Sequence, residues 1–277
     1  MSSLKWCVVA ACCLVAGVCA GWFWPDPTRL VFLNVGQGDC AMIHAGGATI
    51  LIDSGPRDAH SDAGERIVVP KLRAMGITGV DLILLSHPDM DHIGGTGAIV
   101  HAFPDAKIAV STYFRHNHQL LEQLAKWGRR ADGVMWLGDQ LEGSIGEFRL
   151  RIDCPAIVED EETNDGSMFV RIESGKASAV FSGDAPVKAE DAMESVTDWH
   201  SEIMKAGHHG SRSATSEGWI EAVRPDYAIL SCGRNNRYGH PNKEVVDRLT
   251  ADGVHILRTD RDGDIAFVVQ DGKFVRE

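Results

Sequence analysis

Cysteine is scarce in this 277-residue sequence outside its first twenty residues. Four of the seven cysteines, Cys7, Cys12, Cys13 and Cys19, lie there, and the remainder of the chain holds Cys40, Cys154 and Cys232. These three are far apart and form no CxxC pair, so a disulfide framework and a zinc ribbon are both excluded. We interpret them as buried residues of strands.

Basic residues are also scarce, with 27 Lys and Arg against 39 Asp and Glu and a net charge of −12. General nucleic-acid binders neutralise phosphates with clustered Lys and Arg, so this composition argues against that class. The acidity is partly compensated if several carboxylates hold divalent cations. Low-complexity linkers and shifts in composition are absent from the sequence, and we therefore predict a single domain over residues 28–277.

The N-terminal segment is apolar and is predicted to lie outside the fold. Residues 6–24 carry no charge, and Lys5 precedes them. Val18 and Ala20 offer small residues before a cleavage point at Gly21, whereas the length also suffices for one membrane span. We predict that residues 1–24 are a signal peptide or a single anchor. The remainder of the chain is then exported to the periplasm or another extracytoplasmic space, either free or tethered to the inner membrane.

Short β-rich runs alternate with helical stretches in the body of the chain. Residues 29–35 and 48–55 read as strands, and 80–87 is an apolar strand buried on both faces. A second half repeats this style, with a hairpin over 167–184 and a strand within 201–211. Two sheet-plus-helix layers bury their apolar faces best as an α/β/β/α sandwich, which is the fold class that we predict.

Two helices are predicted from their end signals. Residues 61–76 begin with capping residue types and end at a glycine, with Pro70 expected to kink the helix. Residues 242–253 begin at Asn242, expected to cap the helix, and stop at Gly253.

The stretch SHPDMDHIGG, residues 86–95, carries four side chains that commonly ligate metals. They are His87, Asp89, Asp91 and His92. A solvated polar turn fits poorly, because the run lies between a buried strand and a glycine pair. Other candidate groups also follow predicted strands, so loops at one sheet edge can bring them together. These groups are Asp53, Asp184, His208 and His209; each, taken alone, is equally typical of an ordinary turn or surface.

The stretch SHPDMDHIGG resembles the HxHxDH signature of the metallo-β-lactamase fold, with Asp89 in place of the second histidine. Four further stretches resemble, more narrowly, the C-terminal domain of the ComEC family of competence proteins. They are FLNVGQGDC…TILIDSG (32–55), SGD (182–184), KAGHHGS (205–211) and RYGHP (237–241). The resemblance implies a metal-dependent hydrolase. ComEC channels carry many transmembrane helices, so a transport role does not follow for this chain.

The resemblance implies a site for two divalent ions, Mn²⁺ or Zn²⁺. His87 and Asp89 would hold one ion, and Asp91 and His92 the other together with His208 or His209. Asp184 would bridge both ions, and Asp53 would orient a ligand. Asn164 stands where the wider fold usually has a histidine. Asp89 and Asn164 make the first position rich in oxygen, which favours manganese over zinc.

His208 and His209 are expected to differ in role, because successive side chains of a strand point to opposite faces. We assign His209 as the metal ligand, since it precedes Gly210, and His208 as a substrate contact. His240 is expected to contact a phosphate or to protonate the leaving group. Loop or surface residues without such roles are the alternative for His240 and for the candidate phosphate contacts, Arg212, Arg234 and Arg237. Residues 113–119, YFRHNHQ, form a loop that is either solvated or stacks a base.

Three functions remain open from the sequence. The first is a phosphodiester hydrolase that resembles ComEC and acts on single-stranded DNA, with water activated by two ions. The second is a phosphodiesterase on a small or envelope-linked phosphoester, which the acidic charge favours. The third is a binding or accessory protein that keeps the fold without catalysis.

Overall fold

Two β-sheets lie at the centre of the computed structural model, which describes residues 28–155 and 163–277. One sheet has eight strands in the order β15-β14-β1-β2-β3-β4-β5-β6, and the other has seven in the order β13-β12-β11-β10-β9-β8-β7. The strands are β1 Arg29–Phe32, β2 Ala41–Ala45, β3 Ala48–Ile52, β4 Leu82–Leu85, β5 Lys107–Ser111, β6 Met135–Leu137, β7 Leu141–Ile145, β8 Phe148–Asp153, β9 Phe169–Ser174, β10 Ala177–Phe181, β11 Ile203–Lys205, β12 Tyr227–Leu230, β13 His255–Arg258, β14 Ile265–Gln270 and β15 Lys273–Arg276.

Helices cover the outer face of each sheet. One π turn, Gly64–Val68, leads directly into the helix Val69–Ala74, with Pro70 in the first turn of the α-helix. The other helices are Met90–Ile93, Thr96–Ala102, His118–Lys126, Val187–Glu194, Glu217–Val223, Lys243–Ala251 and Thr259–Asp262; 3₁₀ turns span Thr112–Phe114, Ala131–Gly133, Thr163–Gly166 and Gly207–Gly210.

Side-chain alternation along the strands divides the core into three apolar layers. In β1, Leu30 and Phe32 face the seven-stranded sheet, whereas Val31 faces the helices. Phe32 stacks on Phe181 of the opposite sheet with ring centroids 5.6 Å apart. A third layer, around Trp219, packs the remaining helices on the seven-stranded sheet. The predicted α/β/β/α sandwich is therefore confirmed.

The parallel strands place their carboxyl ends at one edge of the sandwich. β3, β4 and β5 run parallel in one sheet, and β10, β11 and β12 run parallel in the other. The segments that follow β3, β4, β10 and β11 carry the candidate residues. Gly183 has a φ of 53°, and a Cβ there would lie 2.8 Å from the Cβ of Ser86. Glycine thus permits the segments from the two sheets to touch.

The predicted side-chain cap of one helix is absent. Asn242 precedes the helix Lys243–Ala251, but its side chain makes no capping hydrogen bond. Its Oδ1 instead accepts the Arg212 backbone N–H at 2.8 Å, and its Nδ2 donates to the Gly239 carbonyl at 3.2 Å. The predicted capping role of Asn242 is wrong, because two neighbouring loops compete for the same side chain.

None of the helices within residues 28–155 and 163–277 has the length and apolar character to cross a bilayer. The predicted signal peptide or anchor at residues 1–24 lies outside the described residues.

Candidate metal centre

Asp53 and Ser86 form the base of the site, where β3 and β4 end. The Asp53 carboxylate accepts the Ser86 backbone N–H and the Ser86 hydroxyl, each at 2.8 Å. Asp53 adopts a left-handed φ of 59°, which is unfavourable for a residue with a Cβ. Its buried hydrogen bonds hold it there, and strain of this kind concentrates at functional sites.

The Asp53–Ser86 pair orients two of the predicted histidines. Nδ1 of His92 lies 2.8 Å from Oδ2 of Asp53, and Nδ1 of His87 lies 3.0 Å from the Ser86 hydroxyl. Because the serine gives its own proton to Asp53, its oxygen accepts from His87. Both imidazoles therefore carry their proton on Nδ1 when neutral, and each presents the lone pair of Nε2, as a metal ligand must.

His209 is oriented in the same way from the other sheet. Its Nδ1 donates to the Ser231 carbonyl at 2.9 Å, and its ring is buried. Its Nε2 lies 3.3 Å from Oδ2 of Asp91 and 3.4 Å from Oδ2 of Asp184. Nε2 of His92 lies 3.2 Å from Oδ1 of Asp184. Lone pairs that face carboxylates at these distances require a proton or a cation between them.

These atoms fit a divalent cation. Nε2 of His87, His92 and His209 and Oδ1 of Asp184 are buried and make no hydrogen bond to any described residue. Unpaired buried polar atoms are costly, so several converging ones indicate a missing ligand. Among the described residues, one buried group of potential metal ligands stands out, comprising Asp39, His92, Asp184 and His209.

Two neighbouring positions can be distinguished. We define the inner position by Asp91, His92, His209 and Asp184. The Nε2 atoms of the two histidines lie 3.2 to 3.4 Å from carboxylate oxygens of the two aspartates. We define the outer position, as the resemblance assigns it, by His87, Asp89 and Asn164, and we propose that Asp184 bridges the two positions. Nε2 of His87 lies 3.7 Å from Oδ2 of Asp89, which is 39% exposed and accepts the Thr163 hydroxyl through Oδ1 at 2.7 Å. The buried Oδ1 of Asn164 makes no hydrogen bond within the described residues.

Electrostatics differ between the two positions. Burial opposes charge on His92 and His209, yet Asp184 and its neighbours raise the pKa of His92 well above its usual range and that of His209 to about 9. Burial, assisted by His92, lowers the pKa of His87 to about 4. In the protein alone, protons on His92 and His209 compensate the carboxylates, and a divalent ion would displace them.

His208 and His209 do differ in placement, although the predicted reason is wrong. β11 ends at Lys205, and both histidines lie in a 3₁₀ turn with left-handed φ values of 46° and 55°. Strand alternation therefore does not apply. His209 is buried in the inner position, whereas His208 is 28% exposed with Nε2 3.7 Å from Oδ2 of Asp184. His208 therefore lies nearer to solvent than His209 while still facing the Asp184 carboxylate.

His240 lies beside this pair. Its ring centroid is 5.6 Å from that of His208 and 6.3 Å from that of His209. Burial, followed by the two neighbouring histidines, lowers the pKa of His240 to about 4. The imidazole is therefore neutral near pH 7 and suits hydrogen bonding better than proton donation to a leaving group.

The candidate arginines are dispersed. Arg234 donates to the Asp260 carbonyl at 3.3 Å, which directs it away from the metal positions. The Arg212 side chain is exposed. Arg237 lies over the Tyr238 ring, with its guanidinium carbon 4.9 Å from the centroid. Residues 113–119 are only partly loop, since Tyr113 and Phe114 end a 3₁₀ turn and Asn117 caps the helix His118–Lys126, but apart from the buried Phe114 the segment is largely exposed to solvent, as predicted.

Asp39 and Lys205 were missed from the sequence. Lys205 is 3% exposed and forms an ion pair with Asp39, and its Nζ is 4.0 Å from Oδ1 of Asp184. Oδ1 of Asp39 is 3.4 Å from Nδ1 of His209. One signal was available: Lys205 ends an otherwise apolar strand, and a buried lysine requires an acidic partner.

Comparison with known proteins agrees with this geometry. The family model of the metallo-β-lactamase superfamily matches residues 33–234. The chain belongs to this superfamily. ComE operon protein 3 of Bacillus subtilis is 28% identical over 85% of the chain and 32% of its own length. Competence protein ComA of Neisseria gonorrhoeae is 31% identical over 84% of the chain and 31% of its own length. The expected likeness to ComEC competence proteins is confirmed, although the chain spans about a third of the length of these curated relatives.

Solved structures support the fold. The metallo-β-lactamase fold protein YhfI from Bacillus subtilis has a TM-score of 0.57 and 14% identity, covering 91% of this chain and all of its own. CmlA, a diiron β-hydroxylase from Streptomyces venezuelae, has a TM-score of 0.58 and 15% identity, covering 89% of this chain and 55% of its own. At such identities the likeness establishes the fold alone.

Proposed function

We propose that this domain hydrolyses phosphodiester bonds with two bound divalent ions and that single-stranded DNA is its substrate. The observation that carries the proposal is the approach of the Nε2 atoms of His92 and His209 to the Asp184 carboxylate, with the unpaired Nε2 of His87 on a ring whose centroid is 4.1 Å from that of His92. One relative is named a competence protein, and the resemblance to the ComEC competence family suggests DNA as the polymer.

The charge of the site supports two ions. Five carboxylates and one buried lysine give the site a net charge of −4 when the histidines are neutral. Two divalent ions would neutralise this charge. The residues in this balance are Asp39, Asp53, Asp89, Asp91 and Asp184, with Lys205 as the cation. Oxygen ligands at the outer position favour Mn²⁺ there, whereas the two imidazoles of the inner position also suit Zn²⁺.

Bound ions would supply an activated water and a clamp on the leaving oxygen. Asp91, which is 35% exposed, lies where the inner position meets solvent and can orient the attacking water. His208 borders the site on its open side. His240, neutral near pH 7, can donate its N–H to a phosphoryl oxygen and hold the substrate in place.

A small phosphodiester is the second candidate. The net charge of −12 favours it over a long polyanion, as does the engagement of Arg234 with the Asp260 carbonyl. Export to an extracytoplasmic compartment, with or without a membrane tether at residues 1–24, remains part of the proposal. A reporter that is active only outside the cytoplasm, fused after residue 30, should be active.

Hydrolysis tests the proposal directly. The purified chain, freed of metal, is supplied with Mn²⁺ or Zn²⁺ and offered single-stranded DNA or bis-p-nitrophenyl phosphate. We expect both substrates to be cleaved. Cleavage of the small diester alone supports the second candidate. Tight metal binding without cleavage of either substrate supports the non-catalytic alternative and refutes the proposal.

A further inference from the structure

A cleft of about 460 Å³ lies beside the inner position. Asp91 lines it, and so do Arg57, Met90, Arg237 and Tyr238. Asp91 Oδ2 is also 3.3 Å from Nε2 of His209, so the cleft and the inner position share this side chain. A substrate whose phosphate reaches the ions therefore extends its neighbouring groups into the cleft.

Tyr238 is the most exposed large aromatic or aliphatic side chain of the described residues, at 52%. Arg237 lies over its ring, and Nη2 of Arg237 donates to its hydroxyl at 2.7 Å. On the way to the site, the Tyr238 ring stacks on His240 with centroids 5.7 Å apart and planes 24° apart. A row of stacked planes, Arg237, Tyr238 and His240, thus leads from the cleft towards the histidines, with about half of the Tyr238 side chain open to solvent.

Asn236 holds this surface rigid. Its Oδ1 accepts the backbone N–H groups of Tyr238 at 3.2 Å and His240 at 2.9 Å. Its Nδ2 donates to the carbonyls of Gly233 at 2.9 Å and His240 at 2.6 Å. The rings are therefore positioned before any ligand arrives, which lowers the entropy lost on binding.

We propose that Tyr238, supported by Arg237 and His240, stacks a nucleobase of a single-stranded nucleic acid next to the phosphate held at the ions. Aromatic and arginine planes are the groups that bind unpaired bases without regard to sequence. Because Asp58 and Asp91 balance the charges of Arg57 and Arg237 in the cleft, and the chain as a whole is acidic, attraction of the cleft itself for the phosphate backbone contributes little. Stacking then supplies most of the affinity, and the salt dependence of binding is shallow. The inference specifies the substrate class of the proposed function.

Binding of short phosphorothioate oligothymidylate, which resists hydrolysis, tests the inference in the presence of Mn²⁺. Stacking contributes about 1–3 kcal/mol per base, so Tyr238→Ala should raise Kd on the order of tenfold, whereas Tyr238→Phe should stay within about twofold. On the same backbone carrying abasic sites, wild type and Tyr238→Ala should bind alike. A 2-aminopurine base should be quenched by wild type and Tyr238→Phe and not by Tyr238→Ala.

Two results would overturn the inference. One is that Tyr238→Ala loses as much affinity for the abasic oligonucleotide as for the intact one, and the other is that Tyr238→Ala still quenches 2-aminopurine. Hydrolysis of bis-p-nitrophenyl phosphate, measured separately, distinguishes its failure from that of the proposed function. If wild type hydrolyses this diester but binds neither oligonucleotide, the inference fails and the hydrolase stands. If the base is quenched but no diester is cleaved, the hydrolase fails and the stacking site stands.

Discussion

The inner and outer positions, which Asp184 is proposed to bridge, are built differently. In the inner position, His92 and His209 are buried and each Nδ1 is fixed by a hydrogen bond to Asp53 or Ser231. In the outer position, Asp89 is 39% exposed and already engaged by the Thr163 hydroxyl. Pre-oriented ligands lose less freedom on metal binding. We expect the inner position to bind an ion first and the outer position to bind a weaker, exchangeable one.

Asp184→Asn gives the largest expected effect, because it removes a shared charge from both positions. Oδ1 of Asp184 lies 3.2 Å from Nε2 of His92, and Oδ2 lies 3.4 Å from Nε2 of His209. Loss of an outer-shell partner typically costs 10–100-fold, so losing this direct contact should lower activity more than about 100-fold. Elemental analysis should show fewer ions per chain. If Asp184→Asn keeps two ions per chain and an unchanged turnover rate, Asp184 does not bridge the two ions.

His209→Ala and His208→Ala separate the inner position from its surroundings. His209→Ala should lower metal content and reduce activity about as strongly as the loss of other direct ligands. His208→Ala should leave metal content intact and slow turnover by on the order of tenfold, because this side chain borders the open side. Metal titration with each variant, using wild type as reference, distinguishes the roles. Equal loss of ions in both variants would refute the split.

Asp89→His sharpens the comparison at the outer position. A second nitrogen ligand beside His87 should shift the preference towards Zn²⁺, changing the ratio of Zn²⁺- to Mn²⁺-supported activity by about tenfold. Asp89→Asn is the matched control, since it removes the charge without adding an imidazole. An unchanged ratio in Asp89→His would show that Asp89 does not determine the metal preference.

The sequence predicted the fold because hydrophobic alternation and glycine turns recur along the whole chain. It predicted the grouping of Asp53, His92 and Asp184 because the ends of parallel strands lie at one edge. It could not predict the Asp39–Lys205 pair, since an aspartate in a glycine-rich loop is typical of any turn. It also misjudged the turn that holds His208, because left-handed backbone at a non-glycine residue depends on tertiary contacts.

The inner position is also supported from beneath, through the loop that carries His209. Buried Glu190 accepts the backbone N–H groups of Thr215 at 2.7 Å and Ser216 at 2.8 Å. The Thr215 hydroxyl in turn accepts the Gly207 N–H at 2.9 Å, which fixes the start of the histidine turn. Burial of the Glu190 carboxyl outweighs these hydrogen bonds and raises its pKa from 4.5 to about 7.

Glu190→Gln should therefore have the smallest effect on activity, and its consequence should appear as a pH dependence of stability. Between pH 4.5 and 7 the folded state keeps a proton that the unfolded chain has released, so wild-type stability falls as pH rises through this window. Wild type should lose on the order of 3 kcal/mol of unfolding free energy across this window. The variant should not, because glutamine does not titrate. Urea unfolding of chelator-treated protein measures this effect. The free energy of unfolding of Glu190→Gln, relative to that of wild type, should rise by that amount from pH 4.5 to pH 7. Because ions are removed from both proteins, the change reports on the loop beneath His209 and not on metal binding. A difference between the two proteins that stays constant with pH would show that Glu190 is already ionised in its buried site, with the two backbone N–H groups sufficient to hold the charge.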